Sequence, residues 1–145
     1  MLTVKQLLAG KPFNIVLSVS PDDMVIDALE LMAEKNIGAV MVMDGGRLVG
    51  IFSERDYARK GIIQGRKAKS TPVTEVMTAN VFTVTPEMNI DDCMQLFSDK
   101  HIRHLPVVTQ QQEVVGMLSI GDIVTAIMRE QKEHIHFLEH YISRS

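Results

Sequence analysis

The sequence predicts a mixed α/β (α+β) protein built from two copies of one β-α-β-β-α unit. The first observation is internal repetition, since SVSPDDMVIDALELMAEKNIGAVMVM (18–43) aligns without a gap to TVTPEMNIDDCMQLFSDKHIRHLPVV (83–108). The second is the motif Gly-x-x-Ser-x-x-Asp, which occurs at 50–56 and at 116–122, each time behind an apolar run. The third is that each copy carries apolar residues at helical spacing, followed by two short apolar runs.

Composition and charge limit the classes of protein to be considered. The chain has 145 residues, 46% of them apolar and 23% charged, which is typical of a folded protein with one ordinary core. The net charge of −3 provides no positive field for nucleic acid or an acidic membrane. One cysteine excludes an internal disulfide framework. We find no signal-peptide core and no apolar run near the roughly 18 residues of a membrane span, and we expect a cytoplasmic protein.

Each copy begins with a short strand and a predicted helix start. Ser20-Pro21 and Thr85-Pro86 place a hydroxyl at the N-cap and proline at the first helical position, and acidic residues follow. Apolar residues at i, i+3, i+4 and i+7 then form one stripe in each copy: Val25, Ala28, Leu29 and Met32 in the first, and Ile90, Cys93, Met94 and Phe97 in the second. Cys93 therefore belongs to a core stripe, which indicates an inert buried thiol.

The repeat predicts how the chain is divided. We expect the first repeat at 11–60, a polar connector at 61–73, the second repeat at 74–128 and a helical tail at 129–145. Two copies are too few for an open solenoid, so they should pack face to face about a pseudo-two-fold axis.

The tail is predicted to be part of one long helix over 122–142. Six residues step along it by 4, 3, 4, 3 and 4 positions, which is the spacing of a coiled-coil seam. They are Val124, Met128, Gln131, Ile135, Leu138 and Ile142. A partner helix and a helix packed on its own domain both satisfy this pattern, although the extra length favours a homodimer.

The Ser-x-x-Asp motif has two interpretations. At a helix start, free N–H groups and the helix dipole make an anion site, and Ser53 or Ser119 adds a hydroxyl donor. Asp56 or Asp122, one turn deeper, offers a carboxylate that can accept two hydrogen bonds from a ribose diol. The alternative is a capping box, with Asp in the place of Glu or Gln. Capping alone does not explain the glycine that precedes both motifs, and the two roles are compatible.

In combination, these motifs resemble the cystathionine β-synthase (CBS) repeat. The resemblance rests on V-x-P, a helix, I-x-A/H-x-P-V and then G-x-x-S-x-x-D, and it covers about 11–128. Two such repeats in tandem resemble a free-standing Bateman module. The resemblance implies a regulatory sensor that binds AMP, ADP or ATP, and sometimes NAD or S-adenosylmethionine, in clefts between the repeats. It also implies that two modules associate as a homodimer and act on a regulated protein that the sequence does not identify.

The resemblance further implies two sites, each with residues from both repeats. The first combines Asn14, Ile37, Gly38, Ala39, Ser119 and Asp122. The second combines Thr74, Met77, Ile102, Arg103 and His104 with Ser53, Arg55 and Asp56. The arginines and His104 have no counterparts in the other repeat, so we expect unequal sites. Arginine is the usual partner of phosphate and His104 offers a pH-sensitive donor. The sequence does not decide which cleft Arg103 and His104 face, and surface ion pairs with nearby acids are the alternative.

Catalysis and metal binding are not expected. The sequence shows no nucleophile triad, paired-carboxylate cleft, metal cage or Walker loop. His136 and His140 have the i, i+4 spacing of zinc ligands, but no second cysteine or HExxH glutamate accompanies them. The rival to a nucleotide sensor is a structural dimerisation module whose clefts bind nothing.

Overall fold

A computed structural model describes residues 2–10 and 16–144 and confirms the mixed α/β class with its long C-terminal helix. Asn14 and the predicted start of the first repeat at residue 11 lie outside these ranges. The elements are α1 Val4–Ala9, β1 Ser18–Val19, α2 Val25–Lys35, β2 Ala39–Asp44, β3 Arg47–Ser53, α3 Glu54–Asp56 continued by a π-helical turn Tyr57–Ile62, a 3-10 turn Val73–Glu75, α4 Ile90–Lys100, β4 His104–Val108, β5 Val114–Ser119 and α5 Ile120–Arg144.

Each repeat forms its own small sheet. In the first, β1 pairs in parallel with β2, and β2 pairs antiparallel with β3. In the second, β4 and β5 are antiparallel, and the leading strand is reduced to a single parallel bridge between Val84 and Val107. Both antiparallel pairs have a register shift at the matched positions 42/43 and 107/108, so the duplication extends to local irregularities.

The predicted helix starts at Ser20-Pro21 and Thr85-Pro86 are wrong. Helix α2 begins at Val25 without a side-chain cap, and α4 begins at Ile90 behind Asn89. The Asn89 side chain accepts a hydrogen bond from the backbone N–H of Asp92 at 2.9 Å. The Ser-Pro and Thr-Pro segments are turns that precede the helices.

A segment from elsewhere in the chain forms hydrogen bonds with these turns and prevents them from becoming helical. The carbonyls of Pro21 and Asp23 accept hydrogen bonds from the N–H groups of Thr74 at 3.2 Å and Val73 at 2.8 Å. Carbonyls bonded to another segment are not available for a first helical turn, so the helix begins later. The second repeat has the same arrangement, with Lys5 bound to Pro86 at 2.9 Å and Val4 bound to Met88 at 2.8 Å.

The two repeats therefore exchange their leading segments. Val73 and Val76, which lie at the start of the second repeat in sequence, are fully buried in the core of the first. Helix α1, which precedes the first repeat, buries Val4, Leu7 and Leu8 in the core of the second. Helix α1 was not predicted from the sequence, although TVKQLL (3–8) aligns with PVTEVM (72–77).

Helix α5 leaves its own domain after two turns. Ile123 is fully buried, and Ala126 and Ile127 pack against the second core. From Met128 to Ser143 every side chain is exposed. Among the described residues, no helix has both the length and the apolarity to cross a membrane.

Candidate functional site

A cleft of about 470 Å³ lies between the two repeats. The first repeat contributes the end of β3 and the start of α3, and the second contributes the end of α4 and the start of β4. The segment 78–82 forms a third wall. Lining residues are Gly38, Ile51, Ser53, Glu54, Arg55, Asp56, Thr78, Asn80, Val81, Phe82, Lys100, His101, Ile102, Arg103 and His104.

The Asp56 side chain in this cleft accepts hydrogen bonds on both of its carboxylate oxygens. One oxygen, Oδ2, accepts hydrogen bonds from the Ser53 backbone N–H at 2.9 Å and from the Ser53 hydroxyl at 3.0 Å. The other, Oδ1, accepts from the Thr78 hydroxyl at 3.0 Å and lies 3.5 Å from the Lys60 ammonium. The side chain keeps 13% of its surface exposed, so the carboxylate is fixed in direction yet reachable from the cleft.

Both Ser-x-x-Asp motifs are capping boxes. The Ser53 hydroxyl accepts from the Asp56 N–H at 3.2 Å, and the Ser119 hydroxyl accepts from the Asp122 N–H at 3.0 Å. Each carboxylate in turn accepts from the N–H of its serine at 2.9 Å. At Asp56, Oδ2 makes the cap and Oδ1 accepts from Thr78, so one side chain can cap the helix and line a cleft.

Cations outnumber carboxylates in the lining of the cleft. Arg55 comes from the first repeat and Lys100 and Arg103 come from the second, and the carboxylates of the lining are those of Glu54 and Asp56. The Arg55 guanidinium donates to the carbonyl of His101 at 3.1 Å, which joins the first repeat to the end of α4. The Lys100 ammonium lies 5.1 Å from the centre of the Phe82 ring, a cation–π contact across the mouth.

The chain turns sharply to put this cationic edge in place. His101 adopts the left-handed conformation at φ 53° and ends α4, and the matched residue Asn36 ends α2 at φ 54°. Immediately after the turn, the Arg103 carbonyl accepts from the N–H of Ile120, as the Gly38 carbonyl accepts from Glu54. The same backbone frame thus carries different side chains in the two repeats.

Six of the eight residues predicted for the second site line the cleft: Ser53, Arg55, Asp56, Ile102, Arg103 and His104. Thr74 and Met77 do not. Thr74 is exposed in the 3-10 turn, and Met77 covers Gly50 so closely that a Cβ there would lie 2.6 Å from its sulfur.

The path of the backbone explains why Thr74 and Met77 do not line the cleft. Thr78 pairs with Ile51 at the edge of the first sheet, with N–H···O distances of 2.8 and 2.9 Å. The chain therefore reaches the cleft only after residue 77, and Thr78, Asn80, Val81 and Phe82 occupy the wall assigned from sequence to Thr74 and Met77. Gly50 accommodates this backbone rather than a ligand.

The residues predicted for the first site are not brought into one cavity within the described part of the chain. Asn14 lies outside it, Ile37 packs against the first core, and Ala39 is fully buried there. Gly38 borders the main cleft, where a Cβ would lie 3.9 Å from the His104 ring. Ser119 caps α5, and Asp122 borders a separate cavity of about 240 Å³ between α1 and α5.

Sequence reasoning missed Phe82, Lys100 and His101. Lys100 is repeated at Lys35 in the other repeat, so its position marked it as part of the repeat but not of a site. Phe82 lies just before the short strand of the second repeat, outside every motif. The pairing of Thr78 with Ile51 at the edge of the first sheet brings this ring to the cleft.

Comparison with known proteins agrees with the duplication. The model of the CBS domain matches residues 12–62 and 73–129. The mitochondrial CBS domain-containing protein CBSX3 of Arabidopsis thaliana is 45% identical over an alignment of 126 residues, which covers 83% of this chain and 61% of that protein. The chain thus spans less than two thirds of the plant protein.

Solved structures of proteins with CBS domains also superpose on this chain. A protein from Burkholderia ambifaria, described as a signal-transduction protein with CBS domains, superposes with a TM-score of 0.86 at 45% identity, covering 90% of this chain and 96% of the other. The AMP complex of CBSX2 superposes with a TM-score of 0.74 at 29% identity, covering 89% and 98%. The CBS domain pair of protein MJ0100, in complex with 5′-methylthioadenosine and S-adenosylmethionine, gives 0.76 at 26%, also covering 89% and 98%.

The resemblance stated from the sequence is confirmed. Two matched repeats, the exchange of leading segments and a cleft between the repeats are features of one folded pair, and the chain belongs to the CBS domain family.

Proposed function

We propose that this chain is a regulatory module that binds an adenine nucleotide (AMP, ADP, ATP or NAD) in the cleft between its repeats. The observation that carries the proposal is the juxtaposition of a fixed carboxylate, Asp56, with a cationic edge formed by Arg55, Lys100 and Arg103. A sugar phosphate presents the complementary groups, because its diol donates hydrogen bonds and its phosphate carries negative charge.

The apolar lining suits the base. Ile51, Val81, Phe82 and Ile102 border the same cleft as the charged groups. An aromatic ring and aliphatic side chains offer the flat apolar contacts that a purine needs. The volume of about 470 Å³ is within the range of 300–1,000 Å³ common to small-molecule sites.

Related proteins support adenosine as the shared part of the ligand. CBSX2 is described with AMP, and the pair from MJ0100 is described with 5′-methylthioadenosine and S-adenosylmethionine. These ligands share adenosine and differ at the 5′ position. We propose a phosphate at that position here, because Arg55, Lys100 and Arg103 attract an anion.

The output of the module is binding rather than catalysis. An inosine-5′-monophosphate dehydrogenase from Korarchaeum cryptofilum matches 74% of this chain at 34% identity, but the match covers only 21% of that enzyme. We propose that the module works in the cytoplasm as a homodimer, and that ligand binding changes its affinity for a regulated protein. A ligand shifts such an equilibrium only by its different affinity for the two states.

Calorimetry with AMP, ADP, ATP, NAD and S-adenosylmethionine tests the proposal. We expect at least one adenine nucleotide to bind, and Asp56→Asn to weaken it on the order of 10- to 100-fold, because one oxygen of a part-buried carboxylate becomes a donor and its charge is lost. Asp122→Asn is the matched control, since it alters the same cap in the other repeat without touching this cleft. Absence of heat and of any melting shift with all five ligands would leave the structural dimerisation module as the function.

A further inference from the structure

The exposed half of α5 presents an apolar seam to solvent. We define the tail seam as Gln131, Ile135, Leu138 and Ile142. Ile135 is 53% exposed, Leu138 43% and Ile142 69%, although apolar side chains of this size are usually buried. A single helix of this length is marginal in water without packing, so a cover over the seam would stabilise it.

We propose that the tail seam is a docking surface for the same seam of a second copy, with the two helices antiparallel. The proposal specifies the surface of the proposed homodimer and does not depend on nucleotide binding. In this arrangement Ile135 of one copy packs on Leu138 of the other, and Gln131 packs on Ile142. The overlap of 12 residues is about 18 Å long at 1.5 Å per residue.

Charge complementarity selects the antiparallel direction. Lys132 and Glu139 both flank the seam on one side, at the positions following Gln131 and Leu138. When two such helices run antiparallel, Lys132 of each copy meets Glu139 of the other, which gives two opposite-charge pairs. In a parallel pair, Lys132 of one copy instead faces Ile127 of the other, and the Gln131 side chains of the two copies face each other.

Lys132 and Glu139 do not pair with each other within one helix, because they are seven positions apart, too far for an i, i+4 pair. Glu139 lies 3.9 Å from the ring nitrogen Nδ1 of His136 in a contact whose two side chains are about 70% exposed, so the carboxylate is still open to a partner.

The charges of the tail disfavour a membrane as the occupant. A helix that lies on an anionic bilayer carries Lys and Arg on its polar face. Here the exposed segment 129–143 has two cationic residues against three glutamates: Arg129, Lys132, Glu130, Glu133 and Glu139. The mixed pattern fits a protein surface of the same composition.

Sedimentation velocity and equilibrium on the full chain test the pairing. We expect a self-association step that Ile135→Asp with Leu138→Asp weakens by at least about 100-fold, because two charges enter an apolar interface. Lys132→Glu alone and Glu139→Lys alone should each weaken it on the order of tenfold, since each converts both pairs to repulsion. The double change should return the dissociation constant to within about threefold of wild type, because it restores opposite charges with the signs exchanged.

Two control variants carry the same charge changes on the far side of the helix. Arg129→Glu and Glu133→Lys are outside the seam and should leave the dissociation constant unchanged. A wild-type dimer that the Ile135→Asp, Leu138→Asp variant leaves intact would overturn the tail interface while the homodimer stands. A monomeric wild type would overturn both. Failure of the charge exchange to restore association would overturn the antiparallel direction.

Discussion

The hydroxyl of Thr78 donates a hydrogen bond of 3.0 Å to the carboxylate of Asp56, and this contact joins the segment 78–82 to the helix start of the first repeat. The two residues are 22 positions apart. Asp56 makes its cap with one oxygen and accepts from Thr78 with the other, so the carboxylate cannot turn away from the cleft. A ligand group that binds Asp56 therefore meets an acceptor whose direction is already fixed.

We predict that Thr78→Val weakens nucleotide binding about 3- to 10-fold and lowers the free energy of unfolding by about 1 kcal/mol, because a part-buried carboxylate loses one donor. Calorimetry and chemical denaturation measure the two effects. Thr74→Val is the control, since that exposed threonine is outside the cleft. A loss of affinity in Thr74→Val with none in Thr78→Val would support the wall assigned from sequence and contradict the one in the structure.

We predict that Gly50→Ala destabilises the protein by about 1–3 kcal/mol. The added Cβ would lie 2.6 Å from the Met77 sulfur and 2.9 Å from the Thr78 carbonyl oxygen, and the backbone oxygen cannot move without breaking the bridge to Ile51. Thermal denaturation checks the change. Gly121→Ala is the matched control, because its Cβ has ordinary contacts within a helix and should be neutral or mildly stabilising. A melting temperature unchanged by Gly50→Ala would refute the close approach.

We predict that Val4→Ala and Val73→Ala cost similar free energies, about 2 kcal/mol each, because both side chains are fully buried at matched positions. Each substitution should raise hydrogen exchange in the repeat whose core contains the side chain, which is not the repeat that follows it in sequence. Val4→Ala should raise hydrogen exchange in α4 of the second repeat, and Val73→Ala should raise it in α2 of the first. Exchange that rises in the repeat that follows each residue in sequence would contradict the exchange of leading segments.

We predict that the Cys93 thiol is unreactive in the native protein. Burial, with a smaller contribution from the Asp92 carboxylate, raises its pKa from 9.0 to about 11. At pH 8 the thiolate fraction is then on the order of a hundredfold lower than for an ordinary thiol, and only the thiolate reacts. Alkylation with iodoacetamide should be slow in buffer and fast in urea, and comparable rates would show that the thiol is accessible.

The same shift predicts a stability change at high pH. The unfolded thiol ionises near pH 9 and the folded thiol near pH 11, so the stabilisation is fully present below pH 9 and is lost as pH rises towards 11. Cys93→Ala should remove this part of the pH dependence. The difference between the two proteins in denaturant midpoint from pH 8 to 11 isolates it from the titration of lysine and tyrosine.

Local sequence chemistry predicted the helix starts at the two Ser-x-x-Asp motifs but not those near the two prolines. The spacing Ser-x-x-Asp predicted a helix start at both copies, and both are capping boxes, because that pattern satisfies backbone groups wherever it occurs. The same local rule failed at Ser20-Pro21, where carbonyls that a helix would use are bound by Val73 and Thr74 from a distant part of the chain. Local helix propensity takes no account of a hydrogen-bond partner that lies about 50 residues away in the sequence.

The sequence alone determined the duplication, the order of elements in each repeat, the family and the long final helix, because these depend on periodicity and motif spacing within one stretch of chain. Only the tertiary structure decided that the leading segments are exchanged and that Thr78 and Phe82 rather than Thr74 and Met77 line the cleft. It also decided that the tail seam stays uncovered by its own domain. The reason is physical: each of these features depends on how two folded repeats dock, and the docking depends on the fit of whole surfaces rather than on any single motif.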